Sequence, residues 1–198
     1  MSCTFSPRRR RARRPGARLA ALTLVLTAAA AFASSAAGAA SHAAAASGCG
    51  HSASSGSTTL QLSIGGHSRT VIVHVPSSYK ETQATALILN LHGSGSDARQ
   101  QELFSGMDAT ADADTFIVAY PQALIANGPG FDWNIPGVPL VGGAMPPANA
   151  ANDISFLTDL VKTLEGRYCI DAHRVFATGV SGGGRMSSQL ACDASSTF

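Results

Sequence analysis

The stretch VFATGVSGGGRMSSQLACD, residues 175–193, decides the fold. Its core, Gly179-Val180-Ser181-Gly182-Gly183, fits the pattern G-x-S-x-G. That spacing suits a tight turn from a strand into a helix: glycines on both sides let the backbone fold sharply and leave the serine hydroxyl exposed at the carboxyl end of the strand. Any Gly/Ser turn can match three letters, so context decides. Here the run HRVFATGVS reads as a strand before the turn, and GGGRMSSQLAC reads as the start of a helix after it.

Upstream of the turn, strands and helices alternate. ATALILNLHG (84–93) and TFIVAYP (115–121) are nearly continuous apolar runs, the mark of strands buried on both faces. DARQQELFSGMDATADAD (97–114) reads as one helix capped by Asp97, with Leu103, Phe104 and Met107 as its apolar residues. NDISFLTDLVKTLEG (152–166) places Ile154, Leu157, Leu160, Val161 and Leu164 on one helical face, with Asn152 or Asp153 able to cap it and Gly166 able to end it. Earlier still, TTLQLSIGGHSRTVIVHVP alternates as Leu60, Leu62, Ile64 and again as Val71, Val73, Val75 around a Gly-Gly turn, which is a β-hairpin. Between 122 and 150 lies a Gly/Pro-rich loop with no period of either kind. Buried strands alternating with helices give an α/β protein with a mostly parallel sheet and helices on both faces.

The first 46 residues have another character. Seven arginines among the first eighteen residues, an apolar run from Leu19 to Ala33, and then small residues follow the order of an export signal, with cleavage expected between 37 and 46. The apolar run is too short for a stable membrane span. The whole chain counts 14 basic and 12 acidic residues. Removing the signal leaves seven basic against twelve acidic, a net charge of −5, so the apparent basicity belongs to the signal and nucleic-acid binding is excluded. Residues 47–57 read as a flexible lead-in and 58–198 as the folded domain. Cys49 follows only a weak echo of a lipoprotein site, so lipid anchoring is not expected. Loss of Cys3 would leave Cys49, Cys169 and Cys192 in an oxidising compartment. No His/Cys/Asp cluster has metal-ligand spacing and no phosphate-binding glycine loop is present, so neither metal nor other cofactor is expected. Nothing in the sequence fixes an oligomeric state.

A serine presented in this way needs donors for the oxyanion of a tetrahedral intermediate. The amide after the nucleophile, Gly182, is one. The loop LNLHGSGSD offers the second through the amide of Ser94, or alternatively Gly93. His92 reads as a loop residue that hydrogen-bonds locally. Trp133, in the Gly/Pro loop, is a candidate contact for a sugar or polymer. The base is harder to find. In the usual order an acid and then a histidine follow the serine, yet after Ser181 there is one acid, Asp193, and no histidine.

The segments LILNLHGSGSD, FIVAYPQ, DWN and RYCIDAHRVFATGVSGGG resemble the secreted α/β-hydrolase esterases of the poly(3-hydroxybutyrate) depolymerase, feruloyl esterase and acetylxylan esterase type, from about Thr58 onward. The resemblance implies an α/β-hydrolase fold with Ser181 as nucleophile, oxyanion donors at Gly182 and at Gly93 or Ser94, and a disulfide between Cys169 and Cys192. It implies a plant cell-wall ester or a polyester as substrate. It also covers only the first two-thirds of such proteins, so the chain is expected to be a partial domain that ends after the helix following Ser181, without the triad Asp and His. A non-catalytic carbohydrate- or polymer-binding protein on the same scaffold, with Trp133 as the contact, is the alternative expectation.

Overall fold

Strand β1 (Gly56–Ile64) pairs antiparallel with β2 (His67–Val75) across a two-residue turn. Gly65 and Gly66 sit there at φ 61° and 77°, values that residues with a Cβ rarely adopt, which is why this turn is Gly-Gly. The computed structural model describes residues 48–198, and the expected export segment and its cleavage region lie outside the described residues. Three more strands complete the sheet: β3 (Thr85–Leu91), β4 (Phe116–Pro121) and β7 (Ile170–Gly179). The order is β1-β2-β4-β3-β7, antiparallel through β2–β4 and parallel across β4–β3–β7. Two short strands, β5 (Ile125–Asn127) and β6 (Gly130–Asp132), form a separate hairpin in the loop that showed no period, turning at Gly128.

Side-chain alternation divides the core between the two sheet faces. Leu87, Leu89 and Leu91 of β3 and Ile117 and Ala119 of β4 point to one face, with Val71 and Val73 of β2. There they meet Leu157, Leu160 and Leu164 of helix α3 (Asp153–Glu165) and Met186 and Leu190 of helix α4 (Gly182–Asp193). Ile72, Val118 and Tyr120 face the other way, onto α1 (Ala98–Ser105) and α2 (Met107–Asp114). Each buried leucine contributes about 1.5–3 kcal/mol relative to an exposed one, so the two-faced pattern commits the chain to this layering. Asn152 caps α3 by accepting from the Ser155 N–H at 3.0 Å.

Two local expectations give way to other arrangements. The single helix over 97–114 is two, broken at Gly106, whose φ of 58° ends α1 and starts α2. Leu103 and Phe104 do not pack on the sheet; Phe104 is 75% exposed. The face of α1 that turns inward carries Gln101 and Glu102, because Asn90 on β3 needs a buried partner and the Gln101 side-chain amide donates to its oxygen at 2.8 Å.

The disulfide also differs. Cys169 is bonded to Cys49, not to Cys192, and no described cysteine is free. The geometry explains the partner. Cys169 precedes a ten-residue strand and Cys192 lies near the end of the twelve-residue helix that runs back from it. About 18 Å of helix does not return the chain along about 30 Å of strand. The segment at Cys49 does reach it: Gly48 N–H donates to Glu165 O at 2.7 Å and Gly50 N–H to Glu81 O at 2.8 Å, so the lead-in expected to be flexible is fastened there. Peptide mapping under non-reducing conditions should recover a peptide joining Cys49 to Cys169, and the C49S/C169S variant should lose about 2–4 kcal/mol of stability in urea unfolding. A Cys169–Cys192 peptide would contradict the assignment.

Candidate active site

Ser181 stands at φ 51° and ψ −111°, between the end of β7 and the first residue of α4. A non-glycine residue in that region stores of order 1–3 kcal/mol of strain, held only because the surroundings fix it. The surroundings are backbone. A Cβ on Gly179 would lie 2.5 Å from the Leu91 carbonyl oxygen, and one on Gly183 would run into the same carbonyl. The glycines flanking Ser181 are therefore required by the close crossing of the turn over the end of β3, as well as by the turn itself.

The loop after β3 meets the turn. An added Cβ on Gly182 would sit 2.5 Å from Ser94 Oγ and 3.1 Å from Ser94 N, and one on Gly93 would sit 3.6 Å from Ser181 Cβ. The structure thus brings Ser181, Gly182, Gly93 and Ser94 together. Gly182 is the first residue of α4, where backbone N–H groups lack helical partners and the helix dipole places its positive end.

His92 holds the loop from below. Its Nδ1–H donates to Gly93 O at 2.8 Å, and its Nε2 accepts from the Ala123 N–H at 3.1 Å. Both ring nitrogens are thereby occupied in a neutral tautomer. Burial pushes the ring's pKa below its ordinary value, against smaller opposing effects from Gly93, Asp97 and Asp132. This arrangement suits a structural histidine and leaves no lone pair for a proton from Ser181. Among the described residues, no histidine bonds to the Ser181 hydroxyl. Asp193 lies at the far end of α4, about 18 Å along the helix, where it accepts from Gln189.

Trp133 is not an exposed contact. It is 3% exposed, its Nε1–H donates to His92 O at 2.8 Å, and its ring lies 4.8 Å from the His92 ring. Its two neighbours, which sequence reading passed over, do related work. Asp132 Oδ1 accepts from Gly95 N–H at 3.0 Å and from Asn127 Nδ2 at 3.0 Å. Asn134 N–H donates to Asp153 Oδ2 at 2.8 Å, and its side chain donates to Ala151 O at 2.9 Å. Asp153 in turn pairs with the fully buried Arg69 of β2 at 2.8 Å, and that guanidinium lies 4.0 Å over the Phe156 ring. Burial raises the Asp153 pKa, while the Asn134 N–H and Arg69 pull it back. One signal for this network was visible: Arg69 shares the inward register of Val71, Val73 and Val75, so it needs an acid inside the fold.

Solved structures share this arrangement of strands and helices. An acetyl xylan esterase from Aspergillus awamori superposes with a TM-score of 0.55 at 17% identity, over 71% of this chain and 49% of that one. The fold is that of the α/β-hydrolases. In sequence, the chain is 33% identical to feruloyl esterase B of Piromyces equi over 125 residues, covering 63% of this chain and 21% of that one. It is 27% identical to a probable feruloyl esterase C of Aspergillus clavatus over 158 residues, covering 77% of this chain and 50% of that one. The chain spans half or less of the length of each of these proteins. No family model matches it. On the α/β-hydrolase sheet the strand–turn–helix at Ser181 has the context that G-x-S-x-G requires. Among the described residues no group of three or more His, Cys, Asp or Glu is placed to hold a metal, and no helix is long and apolar enough to cross a membrane.

Two measurements test this site. Trp133→Phe keeps a ring in place but strips the donor from a buried carbonyl, and should cost about 1–3 kcal/mol in urea unfolding. For His92, a lowered folded pKa means that the unfolded chain binds the proton more readily. Its contribution is complete above pH about 6.5 and is lost as pH falls below that value towards the folded pKa. Ring ¹⁵N shifts at pH 6 should therefore show the neutral Nδ1–H tautomer; an imidazolium pattern at that pH would contradict the assignment.

Proposed function

We propose that this protein contributes the nucleophile and oxyanion donors of a carboxylic ester hydrolase. The observation that carries the reading is the strained Ser181 set against the Gly182 and Ser94 amides on an α/β-hydrolase sheet. Ser181 Oγ attacks the ester carbonyl, and the alcohol departs to leave an acyl-enzyme that water then cleaves. The carbonyl oxygen takes the negative charge in each tetrahedral intermediate. The amide of Gly182 and that of Ser94, with Gly93 as the neighbouring alternative, donate to it, and the α4 dipole adds its positive end. The attack also needs a base for the Ser181 proton, and among the described residues no histidine bonds to Ser181 Oγ. Names of relatives favour feruloyl and acetylated plant cell-wall esters over polyesters as substrates. Export follows from the order of the first 46 residues, and the Cys49–Cys169 bond suits an oxidising compartment.

The binding-protein alternative loses its contact residue, since Trp133 is buried beneath the loop. With no base bonded to Ser181, this chain should hydrolyse 4-nitrophenyl acetate no faster than its folded Ser181→Ala variant, and any turnover that added imidazole elicits beyond imidazole alone should be lost in that variant. Imidazole-elicited turnover that persists in Ser181→Ala would refute Ser181 as nucleophile.

A further inference from the structure

Beside the Ser94 and Gly182 amides is a small cleft whose wall is Val138, Pro139 and Leu140 and whose rim carries Arg185. Arg185 is one helical turn beyond Ser181, its N–H donating to Ser181 O at 3.0 Å, which puts the two Cα atoms about 6 Å apart. Its side chain is exposed. Four of the other cations are engaged elsewhere in ion pairs: Arg69 with Asp153, Arg99 with Glu102, Lys162 with Asp159, Arg174 with Asp171. Among the described residues Arg185 has no such partner. Asp132 is the one acid that lines the same cleft, and its buried carboxylate is already directed at the Gly95 N–H and the Asn127 amide.

Resting on the ester-hydrolase reading, we infer that Arg185 makes this cleft selective for esters that carry a carboxylate, the half-esters of dicarboxylic acids. The guanidinium fork matches a carboxylate's two oxygens; the cleft itself has room for about one water, so the intervening methylenes lie across its mouth, along the edge of Val138–Leu140, while the ester carbonyl lies at the Ser94 and Gly182 amides. Residues 48–198 carry twelve acids and seven bases, so the field of the domain repels anions generally. A carboxylate that binds at Ser181 does so because of a local cation.

Monomethyl adipate and dimethyl adipate differ in that charge. Titrated into the full chain at pH 7 and low salt, and followed by the amide shifts of Ser94 and Gly182, the half-ester should bind about five- to tenfold more tightly. The preference should shrink in 0.5 M salt. Arg185→Gln should remove it and leave dimethyl adipate binding unchanged, and Arg185→Lys should keep part of it. Equal binding of the two esters by the wild type, or a preference that survives in Arg185→Gln, overturns the inference while sparing the ester-hydrolase reading. Failure of the half-ester to shift Ser94 or Gly182 also overturns the inference, whereas the ester-hydrolase reading stands or falls with the Ser181→Ala comparison.

Discussion

Everything around Ser181 depends on one close approach, that of the turn's backbone to the Leu91 carbonyl at the end of β3. Gly179 and Gly183 each lack the Cβ that would block it, and Val180 N–H donates to the same oxygen at 3.3 Å. Because β3 and β7 are parallel neighbours in register from Leu87/Val175 to Leu91/Gly179, their carboxyl ends finish level. The loop leaving one strand and the helix leaving the other then meet at Ser94 and Gly182. In the proposed reaction, fixing those two amides in advance would place hydrogen-bond donors where charge develops, with little reorganisation left.

Support for that loop comes from far along the chain. Asp132, Trp133 and Asn134 are consecutive, and each ties to a different element: the Gly95 amide, the His92 carbonyl and the start of α3. The last tie runs on to Arg69 through Asp153. A buried ion pair of this kind is weak evidence for stability, since its desolvation offsets most of its attraction. Its role is geometric. It fixes where the loop residues from 131 to 134 cross under the loop after β3, and Gly130 lets them come close to Gly95.

Local patterns made much of this legible. The hairpin, the buried strands, the capped α3 and the Ser181 turn each follow from period and punctuation within about fifteen residues, and the structure has them all. What stayed hidden depends on partners distant in sequence. Leu103 and Phe104 looked like a helix's inner face, but Asn90 on another element drew Gln101 inward instead. Trp133 in a Gly/Pro loop looked available, but a buried carbonyl at His92 claimed its donor. The resemblance paired Cys169 with a residue close in sequence, whereas its partner lies 120 residues upstream.

That separation gives the Cys49–Cys169 bond a place in time. A chain made from its amino terminus presents Cys49 while the first two strands can already pair, and Cys169 arrives only as β7 begins. For most of synthesis the earlier thiol has no native partner, and any bond it forms must be exchanged before the sheet can close. The clasp can form only once α3 has been laid down, with Glu165 in position to receive Gly48. The same crosslink that fastens the start of the domain marks the moment at which the strand leading to Ser181 is about to join it.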